Sequence, residues 1–231
     1  MDIKKTKKQK QTMQEKLNTL RAGVLGSNDG ILTVVGVLVS VAAATTDKFT
    51  IFIAGLSDLL ACAFSMACGE YASVSTQKDT ETSAVDRESQ LLKTAYQDEL
   101  DVVTRHYMNK GVSQKTSTAI AKDLLDKKPL ETMVRVKYDI ELGHYLNPWD
   151  AAFASLFAAA AGGLLPLMAM TFVPGTVAKW SMTILAVALT SALTGFISSK
   201  LGNGLVKLAV IRNIVIGLIT ITIHYGVGKL F

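Results

Sequence analysis

Four residues at successive steps of four carry side chains able to bind a metal ion: Asp58, Cys62, Met66 and Glu70. On a helix with 3.6 residues per turn, each step of four rotates the chain by about 40°, so these residues form one gently winding stripe. Two hard carboxylates bracket two soft sulfur atoms. This mixture suits a borderline divalent ion such as Fe²⁺, Mn²⁺, Co²⁺ or Zn²⁺ better than Na⁺ or Mg²⁺.

Each member of this stripe also has a plainer interpretation. Cys62 and Met66 are good apolar packing residues, and Glu70 lies near enough to the end of its apolar segment to reach water. Asp58 is the deepest acid, and an ionised carboxylate inside lipid costs several kcal/mol unless it faces a cavity, a partner or a pathway. Asp29, in an earlier apolar segment, stands in an Asn-Asp-Gly sequence that also fits a turn. We expect Asp58 and Asp29 to be functional.

The elements that must position these residues are membrane-spanning helices. A helix crosses about 30 Å of hydrocarbon with roughly 20 mostly apolar residues, because lipid leaves backbone groups no partner except the helix itself. Five segments meet this test: 22–46, 49–76, 151–173, 180–199 and 208–228. The third and fourth contain no charged residue. No small-residue cleavage site follows the first segment, which we therefore interpret as a retained span.

The charges set the predicted orientation. The chain has 24 Lys and Arg against 19 Asp and Glu; residues 1–21 hold 7 basic and 2 acidic side chains, and residues 77–147 hold 11 and 12. The N-terminal lysines lack interleaved aromatic residues, which argues against a nucleic-acid partner and favours the cytoplasmic face of a lipid bilayer. The N-terminus and 77–147 are then cytosolic. Five crossings place the C-terminus outside.

The sequence thus predicts an all-α integral membrane protein with five transmembrane helices and a three-helix cytosolic insert between spans two and three. Ser113 is expected to cap one insert helix and Pro129 to start another. The predicted domains are a basic N-terminal segment at 1–21, spans one and two at 22–76, the insert at 77–147 and spans three to five at 148–231.

Three stretches together resemble the bacterial form of the vacuolar iron transporter family. They read LRAGVLGSNDGILT at 20–33, GLSDLLACAFSMACGEYASVSTQKDTE at 55–81 and NPWDAAFASLFAAAAGGLLPL at 147–167. The resemblance covers the chain from about residue 17. It implies a five-span homodimer, not an enzyme, that exports Fe²⁺ and often Mn²⁺ from the cytosol in exchange for H⁺ and keeps no permanent cofactor. It also implies that Asp29, Asp58 and Met66 line the path at the dimer interface.

The resemblance further implies that carboxylates of the insert collect the metal ion. By pattern alone these acids look solvated, but the family's metal-binding glutamates correspond to Glu88, Glu99 and Glu141. Other acids of the family's cluster correspond to Leu91 and Val102, with Asp98 and Asp101 close enough to substitute. The family's Met-Met pair corresponds to Lys137 and Tyr138, so a weaker or altered site is expected.

Two other functions fit the same residues. Asp29 and Asp58 of several subunits also suit a charged ring in a passive cation channel. A membrane-bound enzyme with a di-metal carboxylate site fits less well, because such sites use two Glu-x-x-His motifs on helices, whereas this sequence has one, from Glu141 to His144, and Gly143 interrupts it. The compact chain favours a bacterial cell membrane, and a vacuolar membrane is the alternative, since export from the cytosol has the same topology in both.

Overall fold

The computed structural model describes residues 13–230, and within that range every regular element is a helix. The predicted lysine-rich start of the chain up to Lys10 lies outside the described residues. Eight helices follow one another: α1 Met13–Ala44, α2 Lys48–Thr94, α3 Tyr96–Asn109, α4 Gln114–Lys127, α5 Pro129–Tyr138, α6 Pro148–Phe172, α7 Thr176–Leu201 and α8 Val206–Lys229.

Five of the helices in the described range are long and apolar enough to cross a membrane: α1, α2, α6, α7 and α8. This agrees with the five spans predicted from hydropathy, and the all-α prediction is confirmed. The chain divides into two compact units, one made of residues up to Ser73 together with those from Asn147, and one made of Val74–Leu146. We call the first the membrane unit and the second the insert. Helix α2 begins in the membrane unit and ends in the insert.

Helix α1 is the central element of the membrane unit. It packs against α6, α7 and α8, and its Leu38 faces Gly55 of α2. Apolar side chains from all five helices meet in one core, and their close packing holds the helices in a fixed arrangement. The core consists of Ile31, Val34, Val35, Leu38, Val39, Ile51, Leu59, Leu167, Met170, Val187 and Ile221.

Small residues bring the backbones of α1 and α6 into direct contact. A Cβ atom added to Gly26 would lie 2.5 Å from the carbonyl oxygen of Ser155, and one added to Gly162 would lie 2.5 Å from that of Ser27. At Gly30 the same atom would collide with the backbone of Ala159. Small residues at such a contact allow helices to associate through van der Waals packing inside lipid. The glycines of α1 therefore let its backbone lie directly against that of α6.

The insert has its own apolar core, built by α3, α4 and α5. Ser113 caps α4 by accepting a hydrogen bond from the backbone of Thr116, and Pro129 stands in the first turn of α5, as the sequence predicted. Leu92 and Leu100 lie on different helices, because Ala95 has φ −140° and ψ 41° and separates α2 from α3. The core consists of Leu100, Val103, Ala121, Leu125 and Met133.

Substituting Gly162→Ala is expected to destabilise the membrane unit by about 1–3 kcal/mol, because overpacking must push a rigid backbone oxygen away. The matched control is Gly226→Ala on α8, where an added Cβ atom has no neighbour within 4 Å. Thermal unfolding of the purified chain in one detergent measures the difference. Equal melting temperatures for the two variants would contradict the close packing of α1 on α6.

Candidate functional site

Asp58 lies on α2 with one carboxylate oxygen, Oδ2, buried and without a hydrogen-bond partner among the described residues. Its carboxylate is close enough to that of Asp29, on the neighbouring helix α1, for the two negative charges to repel each other. Leaving a buried charged oxygen unpaired costs more than leaving a neutral one, so such a group needs a proton or a cation for compensation. Two acids from different helices therefore meet at a place where positive charge is stabilised.

Cys62 connects these two acids. The residue is 7% exposed, and its thiol donates a hydrogen bond to Oδ2 of Asp29 at 3.3 Å. Cys62 lies one turn along α2 from Asp58 and thus connects α2 to α1. The helices bring this sulfur and the carboxylates of Asp29 and Asp58 into one neighbourhood.

Met66 and Glu70 extend the stripe along α2. Met66 is partly buried and packs against a cluster formed by Cys62 and Ala63 of α2 and Ala159 of α6. Glu70 is only 6% exposed, and its Oε2 lies 3.6 Å from Nη2 of Arg21 on α1. The four side chains are spread over twelve residues, which corresponds to about 18 Å of helix.

Thr33 belongs to the same neighbourhood, although its sequence context gave no reason to select it. It lies beside Asp58 and Cys62, and its Oγ1 is buried without a hydrogen bond of normal geometry to the described residues. Its position four residues after Asp29 is the one signal that points to it, since i and i+4 share a helix face. The hydroxyl adds a neutral oxygen to the two carboxylates.

Within residues 13–230, no three His, Cys, Asp or Glu side chains converge closely enough to hold a metal ion. The carboxylate, thiol and thioether groups of the stripe are instead spread along α2, with Asp29 beside them on α1. Separate groups of this kind suit the binding of an ion at successive positions, whereas a closed cage retains an ion.

In the insert, Glu88 and Glu99 do come together, but a lysine lies between them. The Nζ atom of Lys137 is 2.8 Å from Oε2 of Glu88 and 2.6 Å from Oε2 of Glu99. Glu88 is 0% exposed and Glu99 is 3% exposed. Burial alone would lower the pKa of Lys137, but the hydrogen bonds and negative charges of the two glutamates outweigh it and raise the pKa above the ordinary lysine value. The side chain is therefore an ammonium ion at neutral pH.

The second oxygen of Glu88 is also occupied. The hydroxyl of Tyr138 donates to Oε1 of Glu88 at 2.7 Å, and Nη2 of Arg87 donates to the same hydroxyl at 2.6 Å. The guanidinium of Arg87 lies over the Tyr138 ring, 5.4 Å from its centre. Lys137 and Tyr138 thus both contact Glu88.

The remaining acids predicted for the insert stand elsewhere on its surface. Glu141 is exposed and follows the end of α5. Asp98 and Asp101 are exposed on α3, where Gln97 donates to Asp101 at 3.3 Å. Of the five acids expected to collect metal ions, the fold brings Glu88 and Glu99 to one place. Their metal binding stays a prediction.

Comparisons with known proteins agree with the resemblance read from the motifs. The model of the VIT family matches residues 20–229. A vacuolar iron transporter of Acanthamoeba castellanii is 30% identical over 91% of this chain and 78% of its own length. Vacuolar iron transporter homolog 2.1 of Arabidopsis thaliana is 26% identical over 97% of this chain and 87% of its own.

Vacuolar iron transporter homolog 1 of Oryza sativa subsp. japonica is 30% identical over 92% of this chain and 73% of its own length. The relatives are transporters, which supports a function other than catalysis. The family model covers the five membrane-spanning helices and both segments that supply Asp29 and Asp58. The chain belongs to the VIT family of membrane transport proteins.

Proposed function

We propose that this chain exports Fe²⁺, and also Mn²⁺, from the cytosol in exchange for protons. The observation that carries the proposal is the buried, unpaired oxygen of Asp58 beside the charge of Asp29. Relatives named vacuolar iron transporters make iron the first substrate to test. A carboxylate in a membrane is retained at this cost chiefly where it serves an ion pathway.

The proposed path follows the stripe on α2. Glu70 lies nearest the end of the span that continues toward the insert, Met66 and Cys62 follow, and Asp58 is deepest, with Asp29 adding charge from α1. The carboxylates supply the electrostatic attraction for a dication. The thioether and the thiol favour Fe²⁺ over Mg²⁺, which prefers oxygen ligands alone. Co²⁺ and Zn²⁺ fit the same ligand types.

Proton coupling is proposed to arise at the same carboxylates. A protonated carboxyl group loses the charge that attracts a metal ion, and a bound dication favours loss of the proton. Because no basic side chain of the described residues pairs with Asp58, a proton or a metal ion is proposed to supply the compensating charge. Their mutual exclusion at one group links the two fluxes in opposite directions.

A homodimer is the proposed assembly, because one chain offers few ligands at any one position. Ser57, Ala61, Ser65 and Cys68 form an exposed row on α2, four or three residues apart. Small and hydroxyl side chains suit a close helix contact in lipid better than they suit lipid tails. A second copy seated on this row would double the carboxylates and sulfur atoms available to one ion.

The proposed orientation places the insert in the cytosol and the C-terminus outside. Lys200 lies in the last turn of α7, Lys207 in the first turn of α8 and Arg212 further along α8, and basic residues near the ends of spans favour the cytoplasmic side. We propose a bacterial cell membrane as the location, with a vacuolar membrane as the alternative. Both require the same direction of transport relative to the cytosol.

Substituting Asp58→Asn is expected to lower metal uptake by about tenfold or more, because it removes the charge that binds the dication. Mn²⁺ and Fe²⁺ uptake is measured in proteoliposomes with an acidic interior, where outward proton flow drives metal inward. The matched control is Asp47→Asn in the turn before α2; Asp47 accepts a hydrogen bond from the Thr50 backbone at 2.8 Å, and asparagine preserves such a cap.

The native chain should accumulate metal above its external concentration only while the pH gradient lasts. Equilibration of metal to the same level with and without the gradient would identify a passive channel. Full gradient-driven uptake by the Asp58→Asn variant would remove Asp58 from the mechanism.

Replacing Met66→Leu is expected to reduce Fe²⁺ uptake severalfold more than Mn²⁺ uptake, because a thioether favours the softer ion. Met168→Leu is the matched control, since Met168 is an exposed methionine of α6. Both variants are compared with the native chain in competition between the two ions. An unchanged Fe²⁺ to Mn²⁺ ratio in the Met66→Leu variant would show that the sulfur does not bind the transported ion.

A further inference from the structure

The insert contains a cationic side chain at the point where the resemblance implies a metal ion. We propose that the ammonium group of Lys137 is the built-in cation of the insert: it occupies the Glu88 and Glu99 pair, so the insert folds without a metal ion and excludes divalent metal from this pair. The proposal concerns binding by the insert and does not depend on the transport mechanism.

The distances support occupation of the pair by lysine. The Nζ atom of Lys137 donates a charge-assisted hydrogen bond to Oε2 of Glu88 at 2.8 Å and forms an ion pair with Oε2 of Glu99 at 2.6 Å. An ammonium group has three N–H donors, so it can serve two carboxylates at once. Its position between two buried acids is the position that a bridging cation would take.

The surroundings of Glu88 leave little capacity for another ligand role. Oε2 accepts from Lys137 at 2.8 Å and Oε1 accepts from Tyr138 at 2.7 Å. Arg87 holds the Tyr138 hydroxyl in turn, at 2.6 Å. A divalent ion would have to displace the ammonium group of Lys137 and the hydroxyl of Tyr138 before it could bind both oxygens of Glu88.

Burial explains why this cation is needed for the structure of the insert. Glu88 comes from the end of α2, Glu99 from the first turn of α3 and Lys137 from the last turn of α5. The Lys137 side chain is 20% exposed, against 0% and 5% for the side chains of the two glutamates. Buried carboxylates without compensating charge strongly disfavour a fold, and one lysine compensates acids from two helices.

The acids of the membrane unit differ in this respect. Glu70 has Arg21 as a distant partner at 3.6 Å, and Asp58 has a buried oxygen that no described group satisfies. Lys137 contacts Glu88 and Glu99 more closely than Arg21 contacts Glu70. In the insert, the compensating positive charge comes from a lysine of the chain itself. At Asp58, it has to come from a bound proton or metal ion.

The experiment measures Mn²⁺ binding to the purified full chain in detergent, using the electron paramagnetic resonance signal of free Mn²⁺. Asp29→Asn and Asp58→Asn are present in every sample, so that binding in the membrane unit does not contribute. Three versions are compared: the otherwise native chain, Lys137→Met, and Lys122→Met, which removes an exposed lysine from α4 as the matched charge control.

The otherwise native chain and the Lys122→Met control should leave Mn²⁺ free. Lys137→Met should gain one saturable site that binds Mn²⁺ at least about tenfold more tightly than either of these two chains does, because two buried carboxylates are then uncompensated. Adding Glu88→Gln to Lys137→Met should abolish that site. A folded Lys137→Met variant that binds no Mn²⁺ would overturn the proposal.

The otherwise native chain gives a second test that does not require Lys137→Met to fold. Saturable Mn²⁺ binding by this chain that Glu88→Gln removes would equally overturn the proposal. An unchanged melting temperature of the chain after treatment with a chelator, and again after addition of Mn²⁺, is the expected result. No pH gradient or flux enters either measurement, so a failure of the transport proposal leaves both results interpretable.

Discussion

A carboxylate removed from water must be compensated by positive charge, and this constraint organises both units of the chain. In the insert the compensation is internal, because Lys137 contacts Glu88 and Glu99 at 2.8 Å and 2.6 Å. In the membrane unit Asp58 retains a buried oxygen without a partner among the described residues. A buried carboxylate thus stabilises the fold of the insert through its contact with lysine, whereas in the membrane unit it is suited to bind a transported cation.

The packing of α1 determines where the second kind of carboxylate lies. The contacts of Gly26 with Ser155 and of Gly30 with Ala159 hold α1 directly on α6. Asp29 is adjacent to Gly30, and its hydrogen bond from Cys62 reaches α2 at 3.3 Å. Contacts between small residues of α1 and α6 therefore fix the position of the charged Asp29 beside them.

Local and apolar features could be predicted from the sequence. The five spans follow from hydropathy, and the Ser113 cap and the Pro129 helix start follow from short-range rules. The Lys137 contact could not be predicted, because it joins residues 49 positions apart in an insert whose helix order does not specify which faces meet. The break at Ala95 also escaped prediction, since alanine is a good helix former and tertiary packing decides there.

The direct backbone contact between α1 and α6 restricts how this molecule can change shape. Because the backbones of these two helices touch at Gly26, Gly30 and Gly162, we expect the helices to move together instead of rotating against each other. Asp29 travels with that pair, whereas Asp58 travels with α2, which meets it through longer side chains such as Leu38 and Leu59. The separation of the two acids therefore depends on how α2 is placed against the pair formed by α1 and α6.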